Sequence, residues 1–428
     1  MPSTATTTSP LSIIPHALLP PLLFLPFFLP PFPGRNALFA ALVAGTSAAC
    51  NLSAWPPAAG PDRAMRYGMA GSWVFVLPVL EKLLLHASPE TEFYRLSDAA
   101  AAGGGEGQEE ARPPPPPKDW TWDKARWAAG LACSPRGVGW SHGRKRPAVA
   151  RRGASGGGKW AYVARQVLGA GAAYLAVDAC VFLARGVPMP AAWSWDPAVL
   201  ARVACLEVLL GVTVYATWAV GMCIPSAIAV GAGISRVEVR SIVGHQSARN
   251  TTDHHALQDW PPLFGNIAEA TTVGAFWGRY WHDLIKQPCL SISHRLNALL
   301  RIPNRTPPAY AVHLLTAFAV SGWFHVQSAS VVAEGYIAVP EIARCMALFF
   351  AGQAAVVTLE AAAIKRLASS AKAPGPGSRW ARALGYAWTA GWLMWSGWWF
   401  VKVYDSIGVL EWEMPFPVVS KIAAHFGF

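Results

Sequence analysis

The chain has little charge for its size. Charged residues make up 14% of its 428 positions, whereas hydrophobic residues make up 53%; a soluble domain usually carries about 25% charged residues. This shortage excludes an ordinary soluble globular domain and favours a polytopic membrane protein. The net charge of +11 does not indicate nucleic-acid binding, because the Lys and Arg residues cluster between apolar runs. That distribution is typical of cytosolic loops beside anionic lipid head groups, so the expected partner is the lipid bilayer and no nucleic acid.

Several familiar site motifs are also missing from the sequence. The seven Cys residues form no CxxC pair, which argues against a zinc site or a disulfide framework. The sequence has no Gly-rich loop of P-loop form, no GxSxG elbow, and none of the HxxHH or HxxxH boxes that membrane di-iron enzymes need for their ligands. The run Asp253-His254-His255 is therefore interpreted as a loop segment, and no metal is expected.

The apolar runs predict an all-α integral membrane protein, a polytopic bundle of about eight transmembrane helices, because each span needs roughly 20 mainly apolar residues. The predicted spans are residues 11–32, 37–55, 68–85, 160–184, 199–231, 309–332, 343–364 and 380–401. The first is interpreted as a retained span, since it lacks the basic start of a cleaved leader and proline interrupts it. The basic connections are expected in the cytosol, with both termini on the opposite side.

Three regions are expected along the chain: N-terminal transmembrane helices at 1–85, a cytosolic loop at 86–159, and a catalytic transmembrane region at 160–428. The loop contains the run GGGEGQEE and a five-proline tract, which are low-complexity sequences. Its Trp-rich part, residues 120–140, is expected to pack on the membrane face of the protein, because a disordered linker has little use for tryptophan.

One histidine lies inside a predicted span. His325 follows Ser321 and Gly322 in the run AVSGWFHVQSAS, where small residues allow close helix approach and leave room for a ligand. In one interpretation the imidazole is a general base that takes the proton of a hydroxyl nucleophile. In the other it hydrogen-bonds a neighbouring helix. Ionisable side chains inside a membrane usually face a cavity or a pathway, which keeps the catalytic interpretation open.

Residues 259–287, DWPPLFGNIAEATTVGAFWGRYWHDLIKQ, are unusually polar and aromatic for such a chain. At helical spacing, Trp277 and Trp281 share one face. One interpretation is that the segment walls an active site, with Arg279 or Lys286 facing an anionic donor such as the phosphates of coenzyme A. The alternative is an aromatic anchor at the membrane interface.

The part WPPLFGNIAEATTVGAFWGRYWH resembles the signature of the wax synthase-like branch of the membrane-bound O-acyltransferase superfamily, particularly its filamentous-fungal members. The matching positions are Trp260, Pro261, Phe264, Gly265, Glu269, Ala270, Thr271, Phe276, Trp277, Arg279, Trp281 and His282. The SGxxH element that ends at His325 and the stretch KARWAAGLACSPRGVGW at 124–140 are similar to two further elements of that family.

The resemblance implies transfer of an acyl group from acyl-CoA to the hydroxyl of a hydrophobic alcohol. The implied co-substrate is acyl-CoA with an acetyl or longer chain, acetyl-CoA being the expected donor, and no bound cofactor is expected. The implied acceptor is a terpenoid or another secondary metabolite. His325 is then the base, and His282 orients the substrate or stabilises developing charge. The implied substrate-binding residues are Trp277, Arg279, Trp281 and Ser321. A wax ester synthase acting on long-chain alcohols is the alternative within the family, and a membrane transporter is the alternative of another class. The expected location is the endoplasmic reticulum membrane.

Overall fold

The computed structural model describes residues 14–52, 72–96, 98, 113–143, 159–232, 260–333, 335–368, 378–412 and 414–426. Within these ranges the regular structure is helical, apart from a single β-bridge between Arg95 and Trp140. The α-helices that organise the fold are α1 (Ile14–Phe28), α2 (Arg35–Leu52), α3 (Trp73–Leu85), α4 (Pro89–Glu92), α5 (Trp122–Ala132), α6 (Lys159–Ala184), α7 (Pro197–Gly231), α8 (Lys286–Leu299), α9 (Pro307–Ser330), α10 (Val339–Ala368), α11 (Arg379–Ser406) and α12 (Val418–His425). The predicted all-α membrane fold is therefore confirmed.

Among the described residues, four helices are long and apolar enough to cross a bilayer: α6, α7, α9 and α10. They coincide with four of the eight predicted spans. Their outer faces expose large apolar side chains such as Leu168, Val208, Leu315 and Leu359. A helix that is apolar on its outer as well as its inner face is suited to contact with lipid.

The other four predicted spans are helices too, but they differ from the prediction in length or polarity. Helices α1 and α3 have 15 and 13 residues, which is less than a span normally needs. Helix α2 has 18 residues but is less apolar than the four spans. Helix α11 has 28 residues and carries Arg379, Arg382 and Lys402 towards its ends. The apolar runs at 11–32, 37–55 and 68–85 extend into residues outside the described ranges, and the count of four spans applies to the described residues.

Several helices begin where the sequence supplies a capping side chain. Thr121 accepts a hydrogen bond from the backbone of Lys124 at the start of α5, and Asp196 accepts one from Ala198 at 2.7 Å at the start of α7. Thr306 does the same for Ala309 at the start of α9. Proline occupies the first position of both α7 and α9. Proline is well tolerated there, because the N–H groups of the first turn have no intrahelical partner.

The Trp-rich stretch packs on the N-terminal helices, as predicted. In α5, Trp127 and Leu131 are buried, and the Trp127 ring meets Phe27 of α1 edge-to-face at 6.3 Å between ring centroids. The indole N–H of Trp127 donates to the Phe93 carbonyl at 2.9 Å. The apolar ring of Trp127 thus lies in a core while its N–H is hydrogen-bonded, whereas Trp120 and Trp122 are 67% and 75% exposed.

A buried cluster of charged side chains joins the Trp-rich stretch to the N-terminal helices. Arg35 of α2 makes two hydrogen bonds to the Glu90 carboxylate, and Lys124 of α5 lies 3.4 Å from it. Burial raises the pKa of Glu90, but the contacts with Arg35 and Lys124 outweigh it and the pKa is lowered. The carboxylate therefore stays ionised and holds α2 against α5.

The larger core lies among α7, α9, α10 and α11. It includes Leu206 and Leu210 of α7, Phe318 of α9, Phe350 of α10 and Tyr404 of α11. The candidate site is built on the surface of this core, where residues 260–285 pack against it.

Candidate active site

The signature segment folds as a short, irregular helix. Its π-helical part is Phe276–Tyr280, and the Trp281 N–H donates to the Phe276 carbonyl at 2.8 Å. The predicted contact between Trp277 and Trp281 is present, with ring centroids 5.8 Å apart. The π turn adds a pair that α-helical spacing does not predict, because Phe276 and Trp281 stack at 5.6 Å and 23°. The segment thus presents a compact aromatic wall.

A carboxylate from α10 holds the start of this segment. Glu360 accepts hydrogen bonds from the backbone N–H groups of Val273 and Gly274, both at 2.9 Å, and from the Trp388 indole at 2.9 Å. The N–H groups at a helix start lack intrahelical partners and carry partial positive charge, so an anion there is stabilising. Glu360 therefore ties the segment to both α10 and α11.

A buried glutamine of α10 holds the aromatic wall in place. The side-chain oxygen of Gln353 accepts hydrogen bonds from the indoles of Trp277, at 3.1 Å, and Trp392, at 3.0 Å. Its amide nitrogen donates to the Ser396 hydroxyl at 3.0 Å. Because Gln353 is fully buried and its amide is hydrogen-bonded at both ends, it sets the orientation of Trp277.

The two ends of the signature touch. The Gly265 N–H donates to the Tyr280 carbonyl at 2.8 Å, and a Cβ added at Gly265 would overlap the Arg279 carbonyl. Only glycine permits this backbone approach. The position of Gly265 in the family signature thus has a direct steric reason.

A side chain from the Trp-rich region clamps the segment from outside. Arg136 pairs with Asp283 at 2.7 Å, and its guanidinium also donates to the Pro261 and Pro262 carbonyls, each at 3.0 Å. Only 7% of the Arg136 side chain and 19% of the Asp283 side chain are exposed. The planar fork of arginine suits such a multiple contact. This clamp joins the SPRGVGW element to the beginning and the end of the signature.

His282 lies next to the clamp and inside an aromatic pocket. Its ring is 5.9 Å from Phe264 and 6.1 Å from Trp218 of α7. Its Nδ1 is buried and has no hydrogen-bond partner within the described residues. Burial lowers the pKa of His282 to about 4, although the Asp283 carboxylate acts in the opposite direction. A neutral imidazole with an unpaired buried nitrogen is available to a ligand.

His325 lies on α9 between α10 and α11. Its Nδ1 is 2.6 Å from the Tyr404 hydroxyl. The imidazole stacks on Phe350 at 5.2 Å and 20°, and Phe400 lies edge-on at 5.2 Å. Gly322 makes room for Phe350, since a Cβ there would lie 3.3 Å from that ring. The imidazole is thus held on one side by Tyr404 and on its faces by phenylalanines.

The fold brings the two predicted histidines together. Phe324, next to His325 on α9, packs in the same apolar cluster as Phe264 and Trp218, whose rings lie beside His282. Ser321 lies one helical turn before His325 and is partly buried. Trp277 and Trp281 belong to the wall described above. Arg279 differs, because its side chain is exposed and no hydrogen bond joins it to either histidine among the described residues.

Lys286, the other cation considered for the donor, donates to the Gly278 carbonyl at 2.7 Å. It therefore braces the π-helical segment from its C-terminal side. The run Asp253-His254-His255 lies outside the described residues.

Five residues that shape the site were not predicted. They are Arg136, Asp283, Gln353, Glu360 and Tyr404. For Arg136 and Asp283 the sequence did hold a signal, because both lie within or beside stretches similar to family elements. The other three lie in the last two long helices, where no motif distinguishes them from ordinary polar residues of a span.

Comparison with known proteins finds a family match in this same part of the chain. Residues 260–351 match the model of the membrane bound O-acyl transferase family, the part that contains the wall, His282 and His325. Acetyltransferase ataH of Aspergillus terreus is 33% identical over 133 residues, which is 30% of this chain and 41% of the relative. Acetyltransferase spyB of Aspergillus fumigatus is 31% identical over 152 residues, 32% of this chain and 25% of the relative.

Acetyltransferase fsoF of Humicola fuscoatra is 31% identical over 163 residues, 36% of this chain and 38% of the relative. The matched part thus spans between 25% and 41% of the length of these curated relatives. No solved structure matches this chain. The chain is thus similar to the membrane bound O-acyl transferase family over residues 260–351, and to fungal acetyltransferases over about a third of its length.

Proposed function

We propose that the protein is an acyl-CoA-dependent O-acyltransferase of a hydrophobic alcohol. The observation that carries the proposal is the pairing of His325 with Tyr404 at 2.6 Å, among aromatic side chains that include Phe350 and Phe400. An imidazole oriented by a hydrogen bond at one nitrogen and free at the other is the arrangement that general base catalysis needs.

The proposed step starts at the alcohol. With Nδ1–H donating to the Tyr404 oxygen, Nε2 of His325 carries the lone pair and accepts the hydroxyl proton. The alcohol oxygen attacks the thioester carbonyl, its new bond to carbon forms, and the carbon–sulfur bond breaks. The coenzyme A thiolate then takes the proton from His325, so that the products are the ester and free coenzyme A. Tyr404 is a positioning residue in this scheme.

His282 has a separate proposed task. Negative charge develops on the thioester oxygen during attack, and a preorganised donor nearby stabilises it. The neutral imidazole of His282 has a nitrogen without a partner and lies in a pocket closed by Phe264 and Trp218. The low dielectric of such a pocket strengthens a hydrogen bond to the developing oxyanion.

The acceptor is proposed to enter from the apolar side. Phe350, Phe400 and Phe324 surround His325, and such a wall suits a terpenoid or another lipid-soluble alcohol rather than a sugar or a peptide. The donor is proposed to be acetyl-CoA, because the relatives described above are named acetyltransferases. The exposed Arg279 is proposed to meet the phosphates of the donor on the cytosolic face. The endoplasmic reticulum is the proposed membrane.

The test is transfer of radiolabel in microsomes that contain the full chain. Labelled acetyl-CoA and palmitoyl-CoA are supplied in parallel with a panel of terpenoid and fatty alcohols, and labelled ester is extracted into organic solvent. We expect acetyl ester of at least one polycyclic or terpenoid alcohol. Palmitoyl ester of fatty alcohols alone would assign wax ester synthesis instead. Ester formed equally by His325→Ala membranes would contradict the proposed site.

A further inference from the structure

The pair of helices α8 and α9, with the turn between them, carries positive charge and no negative charge. Residues 286–333 include both helices and contain no Asp or Glu. The arginines of this stretch are Arg295, Arg301 and Arg305. All three are exposed, and within the described residues their side chains form no ion pair or hydrogen bond. Their guanidinium groups are therefore available to an anionic ligand.

One of these arginines lines a cleft between the two helices. The cleft is open to the outside and has a volume of about 690 Å³, which is within the usual range of about 300–1,000 Å³ for a small-molecule site. Its polar lining consists of His294, Asn304, Arg305, Thr306, Tyr310 and His313. Hydrogen bonds hold the walls in place, since the Ser293 Oγ lies 2.5 Å from the His313 Nδ1 and Asn297 donates to the Ala309 carbonyl at 3.4 Å.

Two of the arginines occupy backbone conformations that favour glycine. Arg301 and Arg305 have φ values of 55° and 63°. At the end of α8 the Ile302 N–H donates to the Asn297 carbonyl at 2.8 Å, and the Arg301 N–H donates to the Ala298 carbonyl at 3.2 Å. Arg301 thus stands at the position where such a helix end usually has glycine. A side chain in this conformation costs stability, so local folding gives no reason for arginine at either position, whereas an anionic ligand does.

The cleft lies where a membrane span ends. Helix α9 has 24 residues and is about 36 Å long, slightly more than the hydrocarbon core of about 30 Å, so its first turn lies at the level of the lipid head groups. Beside the cleft, α8 exposes Leu296, Leu299 and Leu300, and α9 exposes Tyr310. Exposed apolar side chains next to arginine are typical of the membrane interface, where the apolar groups enter the bilayer and the cations meet phosphate.

We propose that this cleft binds an anionic phospholipid of the membrane. The head-group phosphate lies at Arg305, whose guanidinium suits a phosphate, and the hydroxyls of Thr306 and Tyr310 are further donors. The acyl chains lie along the exposed leucines of α8. The proposal places this end of α9 in the cytosolic leaflet, where anionic lipids attract basic segments. The lipid is neither substrate nor product of the proposed reaction, and it joins α8 to the helix that carries His325.

The experiment compares two lipids on the purified full-length protein in neutral detergent. The probes are dioctanoyl phosphatidylglycerol, which is anionic, and dioctanoyl phosphatidylcholine, which has the same chains and no net charge. Binding is measured from the ligand-dependent rise in melting temperature. We expect the wild type to bind the anionic lipid at least about fivefold more tightly, the contribution of one arginine near the membrane surface. Free coenzyme A is a third probe, because it carries phosphates without acyl chains of a lipid.

Variants of Arg305 separate binding from folding. Arg305→Gly removes the charge and suits the left-handed backbone, so without lipid it should melt at the same temperature as the wild type or higher. It should nevertheless bind phosphatidylglycerol about fivefold more weakly, with phosphatidylcholine binding unchanged. Arg305→Lys keeps the charge and should retain most of the preference. The control is Arg202→Gln, since Arg202 of α7 is exposed and has no side-chain partner within the described residues. It should leave the preference unchanged.

Equal binding of both lipids by the wild type, or a full preference in Arg305→Gly, would overturn the inference. An equal loss in Arg202→Gln would do so too, in favour of a diffuse attraction between the lipid and the whole basic surface. If coenzyme A raised the melting temperature in an Arg305-dependent way and phosphatidylglycerol did not, the cleft would belong to the acyl donor and the inference would be wrong. Because binding is measured without turnover, none of these outcomes depends on acyl transfer.

Discussion

Arg136 and Asp283 form an ion pair with 2.7 Å between Nε and Oδ1, and they connect two parts of the chain that are far apart in sequence. The same guanidinium holds the carbonyls of Pro261 and Pro262. One side chain therefore fixes both ends of the segment that ends in His282. The Trp-rich unit thereby acts on the histidine site without contributing a group to it.

A double-mutant cycle tests this clamp. Removing one partner leaves a mostly buried charge unpaired, so Arg136→Gln and Asp283→Asn should each lower kcat and the melting temperature. The double variant should lose less than the sum, with a coupling of about 0.5–3 kcal/mol. The exposed pair Arg126–Asp123 is the control, and Arg126→Gln should change stability by less than about 1 kcal/mol. Strict additivity in the double variant would contradict the clamp.

His325 and Tyr404 give the second prediction. His325→Ala should lower kcat by about 10²–10⁴-fold, the usual contribution of a general base. Tyr404→Phe keeps the ring and removes the hydroxyl, so it should cost about tenfold, in kcat rather than in KM. The matched control is Tyr174→Phe, because the Tyr174 hydroxyl bonds the Phe416 backbone away from the site. Initial rates with labelled acetyl-CoA measure all three variants, and Tyr404→Phe activity equal to that of Tyr174→Phe would count against the positioning role.

Many of the helices can be predicted from local sequence patterns, and the structure confirms them. Membrane helices follow from long apolar runs, and the burial of Trp127 and Trp140 follows from the cost of exposing tryptophan. The two histidines stand out because each is an unusual residue in its own stretch. The partners of these residues do not stand out. Tyr404, Gln353 and Glu360 reach the site from α10 and α11, so their roles depend on helix packing.

The shape of the signature segment cannot be predicted from the spacing of its apolar residues either. A π turn differs from an α-helix by one residue in its hydrogen-bond ladder, and here Trp281 bonds back to Phe276. Gly265 forces the segment against its own start, and Glu360 and Arg136 hold its two ends. The outcome depends on these distant contacts, which no 3.6-residue pattern contains.

The third prediction distinguishes two roles for His282, a hydrogen-bond donor to the substrate and an aromatic anchor. If the residue stabilises charge on the thioester oxygen, His282→Asn keeps a donor and should retain measurable activity. His282→Ala has none and should lose about 10²–10³-fold in rate. Membrane extraction and melting temperature of the two variants control for folding. Equal activities would favour an anchoring role for the ring instead.

The pH dependence of stability gives a fourth prediction. Burial lowers the pKa of His282 to about 4, below its ordinary value of 6.5. Between these values the unfolded chain binds more protons than the folded protein, so stability must fall as the pH is lowered from 6.5 towards 4. His282→Asn should therefore flatten the decline in melting temperature over this interval. At pH 7.5 the imidazole is neutral in both states, and any difference there reports packing alone. An unchanged acid slope in His282→Asn would contradict the buried neutral imidazole.

The last prediction compares two deletions in the loop before α6. Residues 103–116 consist of Gly, acidic and Pro-rich sequence, which lacks the apolar surface to form a core, and loop closure depends only weakly on length. Deleting them should leave activity largely unchanged. Deleting residues 120–140 should abolish it, because that removes Trp127 from its core and Arg136 from the clamp. The point variant Arg136→Gln removes the clamp but keeps the core around Trp127, so it shows which of the two losses abolishes activity. Activity in the 120–140 deletion with both membrane insertion and ester formation preserved would mean that the signature segment holds its shape without the clamp.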